Sequence, residues 1–260
     1  MHYVAVRQHP AVFRNPAPDK PWYIHDVSGG ITIDGIQVVS DNAVAAGSSS
    51  IAVVVANSNN VVFRHAVLKA GAGAPGTSGE DGTEGSMGPQ VAVPQAGTPA
   101  TCTSPPAAQA GGAWNTVNAC GSQGGAGGMG GCGGKKGTGG KGGGASVGLL
   151  LFNSPTTLDD TTVHASIGGH GQNGGRGAWG GWGSLGAPGG ADVSGVIGGC
   201  GSGGPSVAIV YTGPGPVRQN TVQLEFSIGG GLGYGVGEVC AVAAPNGHNG
   251  QSTDILDVTQ

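Results

Sequence analysis

The sequence predicts an all-β protein: a right-handed parallel β-helix-like stack of rungs, with long Gly-x-y excursions packed as polyglycine-II helices and essentially no α-helix. Three observations carry that expectation. The 260 residues include 58 glycines and 16 prolines, and glycine costs a helix about 1 kcal/mol per position relative to Ala. Val and Ile number 38 against 9 Leu, while Lys, Arg, Asp and Glu together number 24. A disordered chain is normally charge-rich and poor in β-branched residues, so this composition asks for extended, packed backbone. Finally, two textures alternate along the chain: a recurring strand–turn–strand unit, and glycine at every third position.

The elements follow in order. Residues 1–23 read as an N-terminal extension, and 24–260 as a single repeat domain. Rungs fall near 30–39, 50–70, 146–166 and 206–227; Gly-rich strings fall near 71–88, 121–144, 168–204 and 229–250. The first run, Gly30 to Val39, resembles the second strand of a rung alone. Ser50–Ser58 (SIAVVVANS) matches Ser146–Ser154 (SVGLLLFNS) position by position, and Ser206–Thr212 (SVAIVYT) follows the same pattern. A turn rich in Asn, Pro or Gly comes next, then a second strand at 61–68, 157–165 and 217–226. The first two units align without a gap through residues 70 and 166. Repeated units of this kind are the sequence signature of stacked rungs, and the recurring Asn57 and Asn153 suit an Asn ladder at a turn.

In the strings, residues 73, 76, 79, 82, 85 and 88 are Gly, and the phase recurs at 168–189 and 195–204. Neither a helix of period 3.6 nor a strand of period 2 produces this spacing. A backbone of three residues per turn does, rising about 3.1 Å per residue, with glycine on one edge so that neighbouring backbones approach closely. The strings are short and interrupted by rungs, which favours strings of one chain lying side by side over a collagen triple helix. Residues 89–120 fit neither texture and read as a long irregular loop.

The formal charge of −4 with ten basic residues argues against nucleic acid, which needs a concentrated cationic face. No apolar run approaches the roughly 20 residues of a membrane span. The first 22 residues hold no apolar signal core, so the expectation is either that the protein is not exported by that route or that the sequence lacks its leader. Cys102, Cys120, Cys132, Cys200 and Cys240 show no CxxC pair or zinc spacing, so no metal site is expected. They read as candidates for disulfides that staple loops, with Cys102–Cys120 the natural short loop and one thiol left over. That use of cysteine leans towards an extracellular or cell-surface location. The sequence implies no cofactor.

The order of apolar rung, NVVFRHAVLKAG, Gly-triplet string, ASVGLLLFNS, second string and PSVAIVYTG resembles the Gly-rich, PGRS-like surface and secreted proteins of myxobacterial type. The rung pattern is similar to pectate-lyase-like parallel β-helices, and the strings to phage tail-tip adhesins and polyglycine-II antifreeze proteins. The resemblance spans most of residues 24–255, rests on composition, and implies a cell-surface or extracellular role.

Few side chains suggest chemistry. Asp159 and Asp160 are adjacent in a second strand, aligned with Phe63 and Arg64; carboxylates on an exposed strand face serve as acid, base or calcium ligands in polysaccharide-active enzymes. Successive strand residues point to opposite faces, so at most one faces a given groove. Scattered histidines have no fixed partner, and the GxGxxG matches are what 58 glycines give by chance. Trp179 and Trp182, one three-residue turn apart, together with Arg176 form a candidate surface for sugar rings or a partner. The expected function is a non-enzymatic extracellular structural or adhesive protein that self-assembles, as an oligomer or into fibres, through rung edges and Gly-rich surfaces. The alternatives are a polysaccharide-active β-helix and an ice- or receptor-binding adhesin.

Overall fold

A computed structural model describes residues 10–15, 17, 20–86, 135–179, 198–233 and 247–259. Every regular element among them is a strand: β1 (Ala11–Asn15), β2 (Trp22–His25), β3 (Ile31–Asp34), β4 (Ile36–Ser40), β5 (Ser50–Ala56), β6 (Val61–Arg64), β7 (Val67–Lys69), β8 (Ser146–Phe152), β9 (Thr156–His164), β10 (Ser206–Thr212), β11 (Val217–Glu225) and β12 (Ser252–Asp257). All pairings are parallel. One sheet has the order β12-β10-β8-β5-β2; the other runs β1-β4-β7-β9-β6-β3, with β11 added on β9. Each repeat passes through both sheets, so sheet neighbours lie one repeat apart in the chain. The fold is all-β with parallel strands in curled sheets.

Stacking in register turns sequence positions into columns. Val53, Leu149 and Ile209 form one column, Val55 and Leu151 a second, Phe63 and Leu158 a third, and Val38, Leu68 and Val163 a fourth. All these side chains are buried and form the core between the sheets. At about 25 cal/mol per Å² of apolar surface, such columns supply most of the driving force for folding.

Two left-handed positions recur from repeat to repeat. Asp26, Asn57, Asn153 and Gly213 carry φ of 56°, 48°, 44° and 86° at the turn between sheets. Gly35, His65, Asp160 and Asn220 carry φ of 65°, 49°, 45° and 50° at a corner inside the second sheet. Left-handed backbone costs roughly 1–2 kcal/mol for an ordinary residue, and Asn, Asp and Gly tolerate it best. The recurring Asn is thus explained by backbone conformation.

The structure revises three details of the sequence reading. The first two units need a one-residue gap: Ala56 lies opposite Phe152, but Val61 lies opposite Thr156. The turn Asn57–Asn60 is one residue longer than Asn153–Pro155, so Arg64, and not Phe63, is the partner of Asp159. The N-terminal extension is also shorter than residues 1–23, because β1 pairs with β4 and β2 with β5. Val12, Phe13 and Arg14 are all exposed, as is Tyr23, so these edge strands lack the alternation that marks a strand in sequence. Lastly, the second strand at 61–68 is split into β6 and β7, with His65 at the corner between them.

The glycine strings bond to one another. Residues 73, 76, 79, 82 and 85 donate N–H bonds to the carbonyls of 167, 170, 173, 176 and 179, at 2.7–3.0 Å. The returning string runs the other way: Lys135, Thr138, Lys141 and Gly144 donate to Thr83, Glu80, Thr77 and Ala74 at 2.9 Å. Gly169, Gln172, Gly175 and Ala178 donate in turn to Gly144, Lys141, Thr138 and Lys135. Outgoing strings are parallel to each other and antiparallel to returning ones, and every third residue donates in the same direction. The glycines stand where a side chain has no room: a Cβ on Gly171 would lie 2.0 Å from the Gly201 carbonyl oxygen, and one on Gly175 1.8 Å from that of Glu80.

Candidate functional site

The richest cluster of ionisable groups gathers at the corner of the second sheet. In-register stacking sets Asp34, Arg64, Asp159 and Gln219 in one column, and the left-handed corner residues follow directly. Arg64 Nε donates to Asp159 Oδ2 at 2.9 Å, and Asn220 Nδ2 to Asp159 Oδ1 at 2.5 Å. Asp159 is 7% exposed. The hydrogen bond from Asn220, followed by that from Arg64, holds its carboxyl below the ordinary aspartate value. A carboxylate in that state does not donate a proton near neutral pH, and both its oxygens are occupied.

Asp160 occupies the adjacent corner. Its Oδ1 accepts from the Thr221 N–H at 3.1 Å, and its Oδ2 lies 3.8 Å from His65 Nε2. His65 Nδ1 lies 2.8 Å from Asp34 Oδ1. The two candidate aspartates therefore part company: Asp159 is locked in a half-buried ion pair, while Asp160 joins an exposed Asp34–His65–Asp160 row. The row can bind a polar group. Among the described residues no group of three or more His, Cys, Asp and Glu could hold a metal ion.

Sequence reasoning missed His65 and Asn220 as partners of the aspartates, because the one-residue turn difference conceals the register. It also missed the serines at the strand starts. Ser50, Ser146 and Ser206, all fully buried, donate to the carbonyls of Asp41, Gly71 and Ser166 where the preceding repeat ends. The same hydroxyls accept from the N–H of Gly71, Ser166 and Ser227 where their own repeat ends. Each thus clasps the neck from which a string departs. Their recurrence at the head of each aligned strand was the available signal.

Arg176 and Trp179 lie on one string, three residues apart, and Trp179 is 69% exposed. The Arg176 N–H donates to Asp81 Oδ1 at 2.7 Å, which ties that edge to the neighbouring string. Trp182 lies outside the described residues, as do Cys102, Cys120, Cys132 and Cys240. Cys200 is buried and its sulfur is engaged. No helix among the described residues is long and apolar enough to cross a membrane. Compared with protein-family models, curated proteins and solved structures, the chain matches none.

Proposed function

We propose that the protein is a non-enzymatic structural or adhesive protein of the cell exterior: a right-handed parallel β-helix bearing a bundle of polyglycine-II strings as its contact surface. Handedness follows the strong preference of parallel crossover connections for the right-handed form. The observation that carries the reading is the set of backbone bonds made at every third residue between outgoing and returning strings. Excursions bonded in this way are stiff, and stiffness of an otherwise featureless surface serves support or contact better than catalysis. The occupied oxygens of Asp159 favour the same reading.

Association of copies is directed to one end. At the N-terminal edge, Phe13 stacks on Trp22 with ring centroids 5.8 Å apart, and Phe13, Tyr23 and Ile31 are exposed. At the other end the core columns finish in charge. Arg218 follows Ile33, Phe63 and Leu158, and Asp257 follows Ile24, Val55, Leu151 and Tyr211. Charges placed in the inward positions of an edge strand prevent further pairing. The expected assembly is therefore a discrete pair of copies joined at their N-terminal edges.

Light scattering after size exclusion, electron microscopy and limited proteolysis test the reading together. A discrete particle whose strings 71–86 and 135–145 resist protease supports it. Filaments overturn the assembly clause, and rapid cleavage of those strings overturns the rigid bundle. Release of reducing ends from a polysaccharide panel, lost in Asp160→Asn, overturns the non-enzymatic clause.

A further inference from the structure

The string bundle is built in layers, an outgoing and a returning string to each repeat, and its N-terminal face is unfinished. In the interior, the outgoing string 168–179 accepts bonds at the carbonyls of 170, 173, 176 and 179, all from glycines of the string before it. The equivalent carbonyls of the string 71–86 are those of Ala72, Pro75, Ser78, Asp81 and Glu84. Residues 41–49, the excursion of the preceding repeat, are too short to serve them all. Ala43 and Gly47 donate to Ala72 and Pro75 at 2.8 and 2.7 Å, Ser48 accepts from Ala74 at 2.9 Å, and the chain then enters β5. Among the described residues the carbonyls of Ser78, Asp81 and Glu84 accept no backbone bond, and the N–H groups of Thr77 and Thr83 donate none. The Glu80 N–H, in the same row as those two, is met instead by the Thr138 hydroxyl at 2.6 Å.

This row is to the strings what an exposed edge is to a sheet: backbone donors and acceptors in register, open to another chain. Sheets recruit extended peptides along such edges as additional strands. Here the period is three residues, and from Gly76 to Ser86 the row runs about 31 Å, so the matching conformation is polyproline II. The residues of an added string that face the row must be glycine. Within the bundle a Cβ on Gly79 would lie 2.6 Å from the Gly175 nitrogen, and one on Gly82 would lie 3.0 Å from that of Ala178. Charge selects the rest of the peptide. Glu80, Asp81 and Glu84 are exposed along the outgoing string, and neither Glu80 nor Glu84 makes a salt bridge among the described residues. The returning string alongside carries the exposed Lys135 and Lys141. The face thus has an acidic and a basic edge, and the open row of carbonyls lies on the acidic one.

We propose that the N-terminal face of the bundle binds a basic, glycine-triplet segment of a partner protein, which adds as one more polyglycine-II string parallel to residues 76–86. The proposal goes beyond the pairing of copies and rests on the strings forming a rigid bundle. The probe is a synthetic peptide of four Gly-Pro-Lys triplets, about 37 Å long, titrated into the whole isotope-labelled protein and followed by NMR. Binding with Kd of about 1 mM or tighter is expected, with amide shifts confined to the strings 71–86 and 135–145. A peptide of the same composition without the triplet period, one of Ala-Pro-Lys triplets and one of Gly-Pro-Glu triplets should each bind at least about tenfold more weakly. Glu80→Gln combined with Glu84→Gln should weaken the Gly-Pro-Lys peptide about fivefold, while Glu225→Gln, on the second sheet, leaves it unchanged. No binding at about ten times the expected Kd overturns the site. Equal binding of the aperiodic or alanine peptide overturns addition as a string. Equal binding of the glutamate peptide, or unchanged affinity in the double variant, overturns the acidic edge, and shifts elsewhere overturn the placement. Concentration-dependent shifts on this face in the protein alone assign it to a second copy and overturn the partner. Protease resistance without peptide is read separately: strings cut at once sink the rigid bundle, whereas strings that resist and bind nothing sink this proposal alone.

Discussion

Asp159 shows how a single side chain changes meaning once its neighbours are known. The hydrogen bonds from Asn220 and Arg64 favour its charged form, so its folded pKa lies below the unfolded value of about 3.9. A depressed carboxylate contributes stability that is fully present above the unfolded pKa and is lost as pH falls through the folded pKa. Wild-type protein should therefore lose thermal stability below about pH 4, and Asn220→Ala should flatten that dependence. Circular-dichroism melts at pH 7, 4 and 2.5 check this; an identical slope in the variant would remove the assignment. The serine clasps give a second expectation at this scale. Ser146→Ala leaves the Gly71 carbonyl and the Ser166 N–H without their partner and should cost about 2 kcal/mol in urea unfolding. Ser78→Ala, on the exposed string, should stay within about 0.5 kcal/mol.

At the scale of elements, strands and strings are held by different physics. Strands stack because Val, Ile and Leu in register bury apolar area against the facing sheet. Strings bury little apolar surface and depend on backbone bonds whose geometry only glycine permits. Gly171→Ala would set a methyl 2.0 Å from the Gly201 oxygen, so that string must shift and its bonds to 201 and 231 stretch. Gly29→Ala meets nothing within 4 Å. Hydrogen exchange should accelerate across 168–178 and 198–204 in the first variant and remain as in wild type in the second. Within the described residues, the strings through 73–85 and 168–177 were legible from their triplet glycines. Which string bonds to which was not, because glycine at every third position is compatible with any neighbour until the strands fix where each string starts.

At the scale of the molecule the two ends of the stack differ. The interior repeats place Phe63, Leu158, Val55 and Leu151 in the columns that Arg218 and Asp257 close. Replacing both charges, in Arg218→Leu with Asp257→Leu, extends the apolar columns to the last coil and should drive concentration-dependent association beyond a pair. Sedimentation velocity reads this directly, and an unchanged mass distribution would show that the charges do not limit assembly.

By itself the sequence determined the all-β class, the places where strands recur and the three-residue period of the strings, because composition and periodicity act locally and leave their mark on neighbouring residues. The tertiary structure decided the register. One extra residue in the Asn57–Asn60 turn moves Asp159 from beside Phe63 to beside Arg64, and stacking brings Lys69, His164 and Glu225 together across 156 positions of chain. Contacts between repeats depend on the summed length of every turn and excursion between them, and no local pattern encodes that sum.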